Sequence, residues 1–223
     1  MKKVLKSMLF LGAMSVAFTS CGDDEKWDGQ KITVATANDV EDVPSSVVQV
    51  AATFDGGFMT FTNTPFANKR FSMEIADEVN TSFLIPGDMG GELTVTPANT
   101  KIAIVAPLGY SSTTFNSSSF KGEFYHEKTV GDVWSYEEYI FAENDVIISG
   151  VFTEILLGDE IEITVDYNLK KGWNKVYAIE DFDQDKDTWT STPVAGLTWT
   201  FSADTKKGSK RRASEIRNIR MSK

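Results

Sequence analysis

The chain has a single cysteine, Cys21, and a single histidine, His126. One thiol excludes an internal disulfide framework, and one imidazole leaves no second histidine from which to build a transition-metal site. Stability must therefore come from burial. No nucleophile elbow, P-loop or dinucleotide fingerprint occurs, and no capped segment of helical period lies between Trp27 and Thr205. Basic residues are scarce through the body: Cys21 to Thr205 holds 11 Lys and Arg against 31 Asp and Glu, a formal charge of −20. Such a surface repels nucleic acid and anionic headgroups, so nucleic acid is not an expected partner.

What is present begins at the amino terminus. Lys2, Lys3 and Lys6 form a basic region, Met8 to Phe18 is apolar, and Thr19 and Ser20 precede Cys21. These are the parts of a secretory signal, and the run falls short of the ~20 apolar residues that span a bilayer. Phe18-Thr19-Ser20-Cys21 resembles the lipobox of bacterial lipoproteins, with Phe18 in the place more often held by Leu. Asp23-Asp24-Glu25 just after it is similar to the surface-export signal of Bacteroidota lipoproteins. The resemblance implies cleavage before Cys21, lipidation of Cys21 and anchoring in the outer membrane, facing the exterior. On this reading residues 1–20 are signal, 21–42 a lipidated tether, 43–205 the folded body and 206–223 a basic tail, expected to be disordered.

The body reads as β-structure throughout. Val47 to Phe54 and Phe58 to Thr62 flank Asp55-Gly56-Gly57, a hairpin signal. Glu92 to Thr96 and Lys101 to Ala106 are expected as short strands closed by Pro97 and Pro107, which lack the ladder donor. Pro107 to Ser119, rich in Ser, Thr and Asn, is the best internal boundary, where two β halves would join. From Glu160 to Leu169 polarity alternates without interruption: Ile161, Ile163, Val165, Tyr167 and Leu169 against Glu160, Glu162, Thr164, Asp166 and Asn168. That pattern predicts a half-buried strand. Regular strands with one apolar face each point to an all-β fold, an antiparallel β-sandwich or a partly closed barrel.

Candidate functional residues are few. His126 could act as a lone general base, but no positioned partner is evident in the sequence. Glu160 and Glu162 share one strand face ~7 Å apart, a spacing compatible with glycosidic cleavage. They are similar to the catalytic pair of β-sandwich glycoside hydrolases but depart from its pattern, because Glu162 stands where that family has Asp and Val165 where it has a second Glu. Asp181, Asp183, Asp185 and Asp187 alternate as calcium ligands could, although Lys186 and Thr192 occupy the positions where an EF-hand loop needs Gly and Glu. Calcium is the one cofactor the sequence raises. Trp134, Tyr136 and Trp189 are the aromatics hardest to assign to a core, and exposed together they could stack on sugar rings. The chain is therefore expected to be a non-enzymatic extracellular binding module, for glycans through those three aromatics. An adhesin or fimbrial subunit pairing through sheet edges is the alternative, with a glycoside hydrolase third. Exposure of Trp134, Tyr136 and Trp189 separates the first two readings.

Overall fold

The computed structural model of the protein describes residues 31–33, 43–54, 60–75, 79–88, 93–114, 118–156 and 158–203. The expectations for Cys21 and for the basic tail lie outside the described residues. The strands are β1 (Lys31–Thr33), β2 (Gln49–Phe54), β3 (Thr60–Pro65), β4 (Ser72–Glu74), β5 (Ile85–Pro86), β6 (Thr94–Thr96) and β7 (Lys101–Tyr110). They continue as β8 (Phe120–Val130), β9 (Val133–Ala142), β10 (Val146–Leu156), β11 (Asp159–Leu169), β12 (Gly172–Asp181), β13 (Lys186–Thr190) and β14 (Thr198–Ala203). No α-helix occurs among the described residues.

The fold is all-β, as the alternation predicts. One large sheet runs β3-β2-β7-β8-β9-β12-β13-β11-β10-β6, with β14 beside β8 and β5 beside β7. Its pairs are antiparallel except β11 with β13. The sheet does not close into a barrel, and its packing is that of a β-sandwich. A separate ribbon of β1 and β4 contributes Met73 to the core.

Two apolar cores lie on opposite faces of the central strands. Ile102, Ile104, Ile140 and Ala142 point into one, which β11 fills with Ile161, Ile163, Val165, Tyr167 and Leu169. Their neighbours Ala103, Val105, Tyr139 and Phe141 point into the other, with Phe71, Met73, Phe124, Trp173, Trp199 and Phe201. Both faces of β7 and β9 are thus covered, which is why consecutive apolar residues occur without alternation at Ile102 to Ala106 and at Tyr139 to Ala142. Each large apolar side chain so buried contributes roughly 1.5–3 kcal/mol.

β7 does not stop at Ala106 as expected; it continues through Pro107 to Tyr110. The reason is a change of partner. Residues 102–105 of β7 pair with β9 and residues 108–110 with β8, so Pro107 falls at the switch, where its missing N–H interrupts neither ladder. Residues before that point and after it are joined by strand pairing, since β7 also pairs with β2 from Val105 to Tyr110. The sheet therefore runs across the join expected near 107–119.

β11 follows its predicted alternation residue by residue, from buried Ile161 to buried Leu169 with Glu160, Glu162, Asp166 and Asn168 exposed. It pairs along its whole length with β10. On β10 the inward positions include Val146, Ile148 and Phe152, while Ile147, Val151, Thr153 and Ile155 face solvent.

Candidate functional site

The sequence placed the sugar-stacking surface on Trp134, Tyr136 and Trp189, and the structure corrects this. All three are essentially inaccessible, at 1 %, 1 % and 0 % exposure. Trp134 and Tyr136 do share a face of β9, with rings stacked 4.2 Å apart, but that face looks into the core. Trp189 packs edge-on against Phe152, 5.8 Å away. The polar ends of Trp134 and Tyr136 are engaged within the protein: Trp134 Nε1 donates to Glu127, and the Tyr136 hydroxyl donates to Glu180 at 3.1 Å. A sugar ring has no access to any of them.

The four aspartates do not converge on a cation either. Asp181 Oδ1 accepts the backbone N–H groups of Asp183 and Gln184, both at 3.1 Å, which closes the turn after β12. Asp183 is exposed, and Asp185 adopts a left-handed φ of 51° with its carbonyl accepting from Glu162 N–H at 3.0 Å. Asp187 turns inward, buried at 1 % exposure and directly opposite Glu180 across β12 and β13. Among the described residues no group of three or more His, Cys, Asp or Glu is arranged to hold a metal ion. Glu160 and Glu162 lie on the exposed face of β11, and Glu162 pairs with Lys186 at 3.2 Å. They form a solvated sheet face rather than a cleft.

What the structure assembles instead is a polar row on the opposite face of the central sheet. Trp199, His126, Glu137 and Tyr177 stand side by side on β14, β8, β9 and β12, each in register with the next. His126 Nδ1 lies 3.3 Å from Glu137 Oε2, and the imidazole stacks on Trp199 at 5.2 Å and 15°. Lys175 brings its ammonium within 3.8 Å of the same carboxylate oxygen. Burial pushes the Glu137 carboxyl up, but the hydrogen bond from His126, the Lys175 charge and the bond from Tyr139 outweigh it and hold the group below its ordinary value. Tyr139 and Tyr177 respond in the opposite sense. Burial and then the Glu137 charge raise Tyr139 well above the usual phenol range, and the same causes push Tyr177 up to about 12.

His126 therefore has the positioned partner that the sequence did not reveal. The signal was available in Gly131-Asp132, which closes a two-residue hairpin with Gly131 at φ 60°. Counting outward from that turn pairs Val130 with Val133 and His126 with Glu137. Chemically, a carboxylate held ionised fixes the ring orientation, and the side chain of His126 remains 27 % exposed. Around Glu137 stand His126, Lys175 and two tyrosines, Tyr139 and Tyr177, whose hydroxyls burial and the Glu137 charge hold protonated.

Compared with protein-family models, characterised proteins and solved structures, the chain matches none.

The remaining candidate is a surface. Ile147, Val151 and Ile155 occupy every second outward position of β10, at 50 %, 59 % and 73 % exposure, with the uncharged Ser149 and Thr153 between them. On one side β10 is paired throughout with β11. On its other side β6 pairs only with Ile147, Ile148 and Ser149, and no described strand continues beyond them. An apolar, uncharged outer face on a strand near the margin of a sheet is a surface on which other protein can dock.

Proposed function

We propose that this chain is a lipid-anchored protein of the outer-membrane surface that works by docking other protein at a sheet edge, an adhesin or assembly subunit and not an enzyme. The anchor part rests on Lys2 to Glu25 and its resemblance to lipoprotein export signals. The docking part rests on one observation, the uncharged outer face of β10 with Val151 and Ile155 largely exposed where β6 has ended. Edge strands in soluble proteins are commonly blunted by lysine, proline or a bulge, and β10 has none of these. Burial of Trp134, Tyr136 and Trp189 removes the side chains on which a glycan reading depended.

The test uses cells displaying the full chain, measured for adherence to immobilised extracellular proteins and to cells lacking the chain. Val151→Lys combined with Ile155→Lys places two charges on the outer face and leaves the core untouched. Adherence conferred by the chain and lost in the variant, with an unchanged melting temperature, is the expected result. Equal adherence by both chains rules out β10 as the working surface.

A further inference from the structure

The outer face of β10 and β11 carries two parallel stripes. Ile147, Val151 and Ile155 form an apolar one on β10, and the exposed Glu160, Glu162 and Asp166 form an acidic one on β11, a single strand spacing away. Residues 206–223 carry the complementary chemistry. They hold eight basic residues against Glu215 alone, and the last three of these, Arg217, Arg220 and Lys223, are interleaved with Ile216, Ile219 and Met221. We propose that this basic segment lies on the outer face of β10 and β11 of its own chain and controls access to it. Its place on the face stands on charge and reach; the control of access rests on the docking function proposed above.

The reach follows from strand register. Pairing from β14 through β8, β9, β12, β13 and β11 to β10 sets Trp199 level with Ser149. Counting four residues on along β14 and four back along β10 sets Ala203, the last residue of β14, level with Asp145, just ahead of β10. The segment therefore approaches from the Ile147 end of the apolar stripe. Those six strand steps amount to ~29 Å along the sheet, which a chain rising ~3.3 Å per residue covers between residues 204 and 212. Residues 213–223 are then available to run from Ile147 toward Ile155. That stretch of β10 is ~26 Å long, and the same residues extended reach ~36 Å.

Charge and tethering favour the chain's own face over other anionic surfaces. The segment has a formal charge of +7, eight basic residues less Glu215, and the body from Cys21 to Thr205 one of −20. A short tether holds the segment near that face at an effective concentration of about millimolar, whereas any other surface must be met by diffusion. Glu162 already lies 3.2 Å from Lys186, but the two side chains remain 51 % and 57 % exposed, so the carboxylate has room for a second cation. Apolar contact with Ile147, Val151 and Ile155 removes Ile216, Ile219 and Met221 from water, and the acidic stripe draws the intervening basic residues. Exposed ion pairs are screened by salt, so the segment leaves the face as ionic strength rises. While it is in place, a partner has to displace it to reach Val151 and Ile155.

Disulfide trapping in the full chain carrying Cys21→Ala tests the contact. Ile219→Cys is combined with Val151→Cys on the face, or with Val130→Cys as a control for random collision. Val130 is 69 % exposed against 59 % for Val151, and it stands eight residues along β8 from Gly122, the partner of Ala203, so its reach of ~26 Å is similar. At ~0.01 M salt the chain with Val151→Cys is expected to close an intramolecular disulfide about tenfold faster than the control, the gain that two or three exposed ion pairs supply. At ~1 M salt the two rates are expected to converge. Equal rates at low salt overturn the proposal, as does a gain undiminished at high salt. Covalent dimers in place of closed monomers assign the face to a second copy and also overturn it. So do equal rates in a chain that sediments with phosphatidylglycerol vesicles, which give the segment to anionic lipid. Arg217→Gln with Arg220→Gln is expected to uncover the face and raise adherence severalfold. If trapping shows no gain while Val151→Lys with Ile155→Lys still abolishes adherence, the segment's contact falls and the docking function stands. If trapping shows the gain but the chain confers no adherence, the docking function falls and the segment keeps its place.

Discussion

Gly109 and Gly122 face each other across β7 and β8, and the ring of Phe201 covers both. A Cβ on Gly109 would stand 2.7 Å from that ring, and one on Gly122 would stand 2.8 Å from it and 2.1 Å from the carbonyl oxygen of Ser202. The glycine pair thus creates the groove that lets β14 lay Phe201 against Phe124, 4.8 Å away, in the core beneath β4.

Gly122→Ala is therefore expected to be strongly destabilising. Its φ of 153° is one that side chains rarely adopt, and the nearest obstacle is backbone that cannot rotate away. Overpacking of this kind costs ~1–3 kcal/mol, with strain added here. Gly109→Ala meets only side-chain atoms, of Phe201, Phe124 and Val47, and should cost less. Denaturant midpoints of the two variants give the comparison, and equal losses contradict this account.

Glu137 makes the fold sensitive to acid. Its carboxyl is held below the ordinary value of 4.5, so the stability it provides is present above that value and is lost as pH falls through the lower value it has in the fold. Glu137→Gln keeps the shape but removes the charge shared by His126 and Lys175, and should cost roughly 1–3 kcal/mol at neutral pH. Below pH ~4.5 the gap between the two proteins should narrow. Melting temperatures from pH 3 to 7 test the sign, and a gap that widens on acidification excludes it.

The alternation of Glu160 to Leu169 was legible because β11 has one buried face and one wet one. β9 carries no such contrast. With both faces covered, period two correctly places Trp134 and Tyr136 together but cannot say whether they look inward or outward. Trp189 misleads for a different reason: it shares its face with Asp187, and an aspartate beside a tryptophan reads as surface until its partner Glu180 is known. The His126–Glu137 contact depended on hairpin register, which Gly131-Asp132 supplied. The Trp199 and Tyr177 neighbours depended on strand order, which no local pattern encodes.

Burial of the two tryptophans turns a binding experiment into a stability experiment. Trp134→Ala and Trp189→Ala each remove a fully buried indole and should cost ~3–5 kcal/mol. Trp134→Ala also leaves Glu127 without one of its donors, although Thr200 still bonds the other oxygen. Chemical denaturation should show lower midpoints for both. A variant that keeps its full stability contradicts the core placement.

The anchor is the remaining expectation, and it has a quantitative consequence. Each buried methylene contributes ~0.8 kcal/mol to membrane binding, and one myristoyl-length chain holds a protein only reversibly, so stable retention requires more than one chain on Cys21. Intact mass of the membrane-extracted protein should correspond to residues 21–223 plus multiple acyl groups. Cys21→Ala removes the only thiol in the chain and should release the protein from the membrane fraction or leave it with its first 20 residues attached. On this reading the lipid is attached at Cys21, ahead of the strands of the body, so the melting temperature of the Cys21→Ala chain should equal that of the detergent-extracted native protein. Retention of Met1 in the native protein, or an unmodified Cys21 in a soluble fraction, removes the anchor and with it the surface location.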